Sequence, residues 1–148
     1  MSSLPERKIL PHEVPSWVNA GETFFITICC KPRGKNQLCV PSVRSAIWET
    51  NHHLQIHHVW YCRLMLLMPD HLHAMLAFPQ DRPMKRVIQN FKSFIARNTN
   101  VAWQSGFFDH RLRSQEHQNE TWLYIMNNPA RQNLCPPDHD WEYVWKPQ

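Results

Sequence analysis

Hydrophobic positions along this chain switch between a period of two and a period near four, and each switch marks an element. The run Thr23-Phe24-Phe25-Ile26-Thr27-Ile28-Cys29-Cys30 is rich in β-branched and aromatic residues and reads as a strand, closed by the loop Lys31-Pro32-Arg33-Gly34-Lys35. After Pro41 and Ser42, the residues Val43, Ile47 and Leu54 recur at helical spacing and predict an amphipathic helix. The segment Val59–Leu67 is almost continuously apolar, as a strand covered on at least one face would be. A Pro69-Asp70 turn folds it back onto an alternating run. There His71, His73, Met75 and Ala77 line one face, while Leu72, Ala74, Leu76 and Phe78 line the other and face a core.

Asp81 and Pro83 start a second helix, with Met84, Val87, Ile88, Phe91, Phe94 and Ile95 on one stripe and Lys85, Arg86, Lys92 and Arg97 off it. Trp103, Phe107 and Phe108 lead into a short strand over 108–113 that puts Arg111 and Arg113 on one face. The resulting order, strand, helix, strand, strand, helix, strand, predicts an α+β fold of the ferredoxin-like βαββαβ type. Its antiparallel sheet would carry helices on one face and leave the other open. Ser114 is a candidate N-cap for a further helix over 114–128, stopped by Pro129 and followed by a tail over 129–148. Residues 1–20 form a Pro-punctuated extended arm in which Trp17 anchors the chain, so 1–148 reads as one domain.

A length of 148 residues and 43% hydrophobic content suit one domain with a real core. The formal charge of +4 is modest, yet between Arg82 and Arg113 seven basic residues face only Asp109. That local excess, with aromatic residues in it, suits the phosphates and bases of single-stranded nucleic acid, and Lys85, Arg86, Lys92, Arg111 and Arg113 are its candidate contacts. Five cysteines without a C-x-x-C pair argue against a disulfide framework and for reduced, cytoplasmic thiols. No apolar run approaches membrane-spanning length, so neither export nor a membrane is expected. Three glycines, at 21, 34 and 106, cannot make a G-x-G-x-x-G or Walker loop, which excludes nucleotide-cofactor enzymes of those classes.

Candidate chemistry sits in two places. His71 and His73 project side by side from one strand face and form a partial metal site. His52, His53, His57 and His58 make a second cluster, but without paired cysteines it lacks a zinc-finger ligand set. On the last helix, Trp122 and Met126 lie opposite Tyr124, which is the one aromatic on the polar face, and Asn128 follows one turn later. A phenol with an ordinary pKa near 10 is a weak nucleophile at neutral pH and calls for a neighbouring cation or base.

Three stretches together resemble the single-tyrosine HUH transposases, in particular the REP-associated tyrosine transposases. Met68-Pro69-Asp70-His71-Leu72-His73 is similar to the family's His-hydrophobic-His strand, and Phe107-Phe108-Asp109-His110-Arg111-Leu112-Arg113 to the stretch before its catalytic helix. Tyr124-Ile125-Met126-Asn127-Asn128-Pro129-Ala130-Arg131 resembles its Y-I-x-x-N-P motif, and the arm from Leu10 to Trp17 resembles the opening of REP-associated members. The resemblance implies Tyr124 as nucleophile, His71, His73 and Asn128 as ligands of Mg²⁺ or Mn²⁺, and a 5′-phosphotyrosine link to DNA cut beside a hairpin formed by a repetitive extragenic palindrome. Asn128 departs from the glutamine of many insertion-sequence relatives. It further implies a cytoplasmic, nucleoid-associated protein, a monomer by preference, with a helix-exchanging dimer as the alternative. The alternatives are a rolling-circle initiator or relaxase built on the same HUH chemistry, whose motif order typically differs from this one, and a domesticated hairpin-binding protein that keeps the fold without turnover.

Overall fold

The computed structural model describes residues 14, 15, 17, 18 and 22–147. Most of the expected N-terminal arm lies outside the described residues. Its visible part is not extended: the Val18 N–H donates to the Pro15 carbonyl in a turn, and Trp17 and Val18 pack on Tyr61 and Ala77.

The elements run β1 (Thr23–Cys29), α1 (Pro41–Ile56), β2 (Tyr61–Met68), β3 (His71–Ala77), α2 (Met84–Asn98), β4 (Phe108–Leu112), α3 (Gln115–Met126), α4 (Asn128–Arg131) and β5 (Val144–Trp145). Among the described residues the strands form one five-stranded sheet in the order β4-β1-β3-β2-β5, and every pairing is antiparallel. The first four strands reproduce the predicted ferredoxin-like α+β pattern, and the His71 strand stands at its centre.

Alternation splits these strands between two apolar clusters. Ile26, Ile28, Met65, Leu67, Leu72, Ala74 and Leu76 point to one face, where Val43 and Ile47 of α1 and Val87, Ile88, Phe91 and Ile95 of α2 seal them. Helix α1 is tied down by polar bonds as well: Trp60 Nε1 donates to Asn51 Oδ1 at 2.9 Å, and the Cys62 N–H donates to Gln55 Oε1 at 2.8 Å. The opposite face holds Leu64, Leu66, Met68, Met75 and Leu112, and it is not open as predicted. Ile125 of α3 is fully buried against it, with Trp122 and Met126 beside it.

Three further expectations change. Phe94, placed on the buried stripe of α2, is 45% exposed. Lys92 is buried in its stead, because its Nζ donates to the carbonyls of Gln104 (2.8 Å) and Gly106 (2.6 Å) and pins the loop before β4. The last helix is two pieces: Pro129 has no N–H to continue the ladder, so α3 ends at Met126 and α4 restarts at Asn128. The predicted N-cap is present, with Ser114 Oγ accepting from the His117 N–H. Within the expected tail, Val144 and Trp145 pair with Leu66 and Met65 as an edge strand. All five cysteines are free, and no helix among the described residues is long and apolar enough to cross a membrane.

Candidate active site

Register brings the first pieces together. Thr27 of β1 lies opposite His73 of β3, and Cys29 lies opposite His71. Cross-strand partners share a face, so Thr27 Oγ1 meets His73 Nδ1 in a hydrogen bond of 2.9 Å. His71 is held from the turn before it, its Nδ1 standing 2.8 Å from Asp70 Oδ1. An ionised carboxylate only accepts, so His71 Nδ1 donates in this bond and the ring is held with Nε2 turned away from the carboxylate. Asp70 is itself gripped by the β1–α1 loop: Arg33 Nε donates to Oδ2 at 2.9 Å and the Gly34 N–H donates to the same oxygen at 2.7 Å. Gly34 sits at φ +86°, a left-handed conformation that side chains disfavour and that this loop uses to aim its N–H.

The electrostatics follow from this packing. Burial alone would raise the Asp70 carboxyl, but Arg33, His71 and the Gly34 N–H outweigh it and hold the group well below the usual carboxylate range. His73 is pushed down to about 3, chiefly by burial and then by the positive charge of His71, Arg131 and Arg33. It is therefore a neutral imidazole at physiological pH, the form that ligates metals. The two imidazole rings lie 4.7 Å apart between centroids. Among the described residues no three His, Cys, Asp or Glu side chains gather into a metal site. A paired, pre-oriented imidazole set with a carboxylate behind one ring nevertheless fits a divalent transition metal such as Mn²⁺.

Helix α3 carries Tyr124 to this pair within the same chain. Its ring lies 6.5 Å from the His73 ring and 6.1 Å edge-on to Phe25, which in turn stands 5.2 Å from His73. Tyr124 is 52% exposed although Thr121 and Ile125 beside it are buried, so the phenol is offered to solvent at the edge of a packed helix. The Arg131 guanidinium lies over the Tyr124 ring at 4.2 Å and donates to the Tyr124 carbonyl. This supplies the neighbouring cation that the phenol chemistry calls for. Asn128 is buried at the start of α4 and does not share the exposed position of Tyr124.

The candidate DNA contacts are scattered. Lys92 is withdrawn to a structural role by its two carbonyl partners, so its assignment as a DNA contact is corrected. Lys85 and Arg86 lie exposed on α2, behind the sheet as seen from Tyr124, and Arg86 lines the cleft between α1 and α2. Arg111 pairs with Phe24 across the sheet and so shares the helix-covered face, where it bonds Glu22 at 2.7 Å. Arg113 is exposed just past the end of β4. On the Tyr124 side β4 presents Phe108, 68% exposed, and His110, which meets His117 of α3 at 5.3 Å. Sequence reading passed over Thr27, Arg33, Asp70, Phe25 and Arg131 as contributors. Asp70 and Arg131 stood inside recognised motifs and were legible there. Thr27 and Arg33 needed the strand register.

No protein-family model and no curated protein sequence matches the chain. Its structure is similar to that of the REP-associated tyrosine transposase bound to a REP hairpin, with a TM-score of 0.70, 20% identity, and coverage of 97% of this chain and 82% of that one. It is also similar to a transposase candidate from Deinococcus radiodurans R1, with a TM-score of 0.53 at 14% identity over 77% of this chain and 91% of that one. The chain that carries the HUH-like motifs therefore has the fold of a REP-associated tyrosine transposase.

Proposed function

We propose that this protein is a divalent-metal-dependent single-strand DNA nicking and joining enzyme that works beside DNA hairpins through a 5′-phosphotyrosine intermediate. The observation that carries the reading is the exposed Tyr124 phenol, 6.5 Å from His73 by ring centroids and under the Arg131 guanidinium, within one chain. A similar fold has been solved with a REP hairpin bound, which supports a hairpin formed by a repetitive extragenic palindrome as substrate. The exposed Phe108 and the Phe25–Tyr124 ring pair offer aromatic faces to unpaired bases.

In this reading Tyr124 Oη attacks the phosphorus in line, a bond from that oxygen to phosphorus forms, and the bond to the 3′-oxygen breaks. The phenol proton passes to solvent, and the departing 3′-oxygen takes one up. Arg131 holds positive charge beside the nucleophile, while Thr27 and Asp70 fix the His73 and His71 rings. His71 and His73, with Asn128 by resemblance, would hold Mg²⁺ or Mn²⁺, which supplies Lewis-acid neutralisation of charge on the phosphate oxygens. Attack by another 3′-hydroxyl on the phosphotyrosine reverses the step and joins strands without an external energy source. The short path between Tyr124 and His73 in one chain favours a monomer that works in cis.

Labelled hairpin DNA with single-stranded flanks, incubated with protein and Mn²⁺, is expected to yield a covalent species that survives denaturing electrophoresis. Tyr124→Phe removes one exposed hydroxyl, leaves stability nearly unchanged, binds the same DNA and yields no adduct. Tight binding by the wild type with no adduct would replace this reading with that of a hairpin-binding protein without turnover.

A further inference from the structure

The Tyr124 face of the sheet carries a second pair of imidazoles. His110 of β4 lies opposite Phe25 in the register and shares that face with it. His117 stands in the first turn of α3, where its backbone N–H donates to Ser114 Oγ. The two rings meet at 5.3 Å between centroids and 73° between planes. His110 is exposed and His117 half-buried, so solvent reaches both. Neither ring has a hydrogen-bond partner among the described residues, and a neutral imidazole offers one nitrogen lone pair to an incoming acid.

The spacing of the pair selects a geometry. An imidazole nitrogen binds Zn²⁺ at about 2.0–2.1 Å, so two rings on one tetrahedral ion lie roughly 5.3 Å apart between centroids. Two rings on adjacent corners of an octahedron lie roughly 4.6 Å apart. His110 and His117 match the first arrangement, whereas His71 and His73, at 4.7 Å, match the second. His53 and His57, at 4.3 Å, are closer than either arrangement and join residues only one turn apart at the end of α1. Imidazole suits Zn²⁺, while Mg²⁺ prefers oxygen.

Helix α3 has a use for such an ion. Its buried residues are Thr121 and Ile125, both in its second half, so the stretch from Gln115 to Glu120 is capped by Ser114 but buries no side chain. Isolated helical turns without packing are marginal in water. Tyr124 lies two turns beyond His117, roughly 10 Å along the axis and near the same helical face. A bond between His117 and the sheet therefore steadies the unpacked half of the helix that carries the candidate nucleophile.

We propose that His110 and His117 together bind one Zn²⁺ ion, with water in its two remaining positions, and that this ion clamps the first half of α3 to β4. The site is separate from the His71–His73 pair and goes beyond the nuclease reading.

Urea unfolding with and without Zn²⁺, together with amide hydrogen exchange across α3, tests the clamp. Zn²⁺ at 100 times the Kd of this site is expected to raise the folded-to-unfolded ratio about 100-fold on its account, and to slow exchange of the amides of 118–121. His110→Gln and His117→Gln should each lose that factor, and the double variant should lose no more than either, because both rings hold the same ion. His53→Gln should keep it. Should His110→Gln fail to fold, His117→Gln at the solvent side of α3 decides alone, with exchange at 118–121 as its readout. An unchanged Zn²⁺ effect in His117→Gln, losses from the two variants that add, or exchange slowed only outside α3 overturns the clamp. No DNA enters these measurements, so failure of the clamp and failure of the nuclease reading are told apart.

Discussion

The two faces of the central sheet are built from the same strands and put to different uses. Toward α1 and α2, Ile26, Ile28, Leu72 and Ala74 are essentially inaccessible, and two helices of four turns each seal them. Toward α3 the intervening residues are Phe25, Thr27, His71 and His73, and a helix of three turns covers only part of them. Period-two alternation makes this division possible: stability is concentrated on one face, and polar, titratable groups are held on the other without disturbing it. The second face is still packed, since Ile125 and Met75 lie within it, and that packing brings Tyr124 to His73.

Adjacent residues of β3 give the sharpest contrast. Leu72→Ala should cost about 2–5 kcal/mol through lost burial and a cavity, lowering the melting temperature on the order of 10 °C, with the adduct still formed below that temperature. His71→Ala, at a partly exposed position, should cost under about 1 kcal/mol and abolish the adduct. Thermal denaturation with the adduct assay separates the two, and equal stability losses would break the division between faces.

His73 supplies a pH-dependent version. Its folded value near 3 lies below the ordinary histidine value of 6.5, so between these pH values the unfolded chain binds more protons than the native one. Stability is then level above about pH 6.5 and falls as pH drops through that window, by up to about 1.4 kcal/mol per unit. In His73→Gln the slope between pH 6 and 4 should flatten, as read from urea unfolding. An unchanged slope would mean that this face does not hold the imidazole neutral.

The smallest effect divides two lysines of α2. Lys85→Met should lower the slope of log affinity against log salt for hairpin DNA by roughly 0.7 to 0.9 if it meets one phosphate. Lys92→Met should leave that slope unchanged and instead lower stability, by about 1–3 kcal/mol, as the Gln104 and Gly106 carbonyls lose their donor. A changed salt slope in Lys92→Met would return Lys92 to the DNA-facing surface.

Much of this was legible in the chain. Alternation over 71–78 set which residues share a face with His71, the helical stripes located α1 and α2, and Ser114 marked the start of α3, because each is a short-range consequence of backbone geometry. Phe94 and Lys92 were exchanged between core and surface because both lie near the edge of the α2 stripe, and only the loop at 104–106 decides which of them is covered. Likewise β5 consists of two residues whose strand character depends wholly on the free edge of β2.

The sequence by itself determined the order of elements, the paired imidazoles, the tyrosine and its motif, since these depend on residue identity and local periodicity. Only the tertiary structure decided that Thr27 and an Arg33–Asp70 pair orient the two rings, that Arg131 lies over Tyr124, and that Arg111 faces away from the site. Each of these joins residues through strand register or a helix break, and such long-range pairings are set by how whole elements pack.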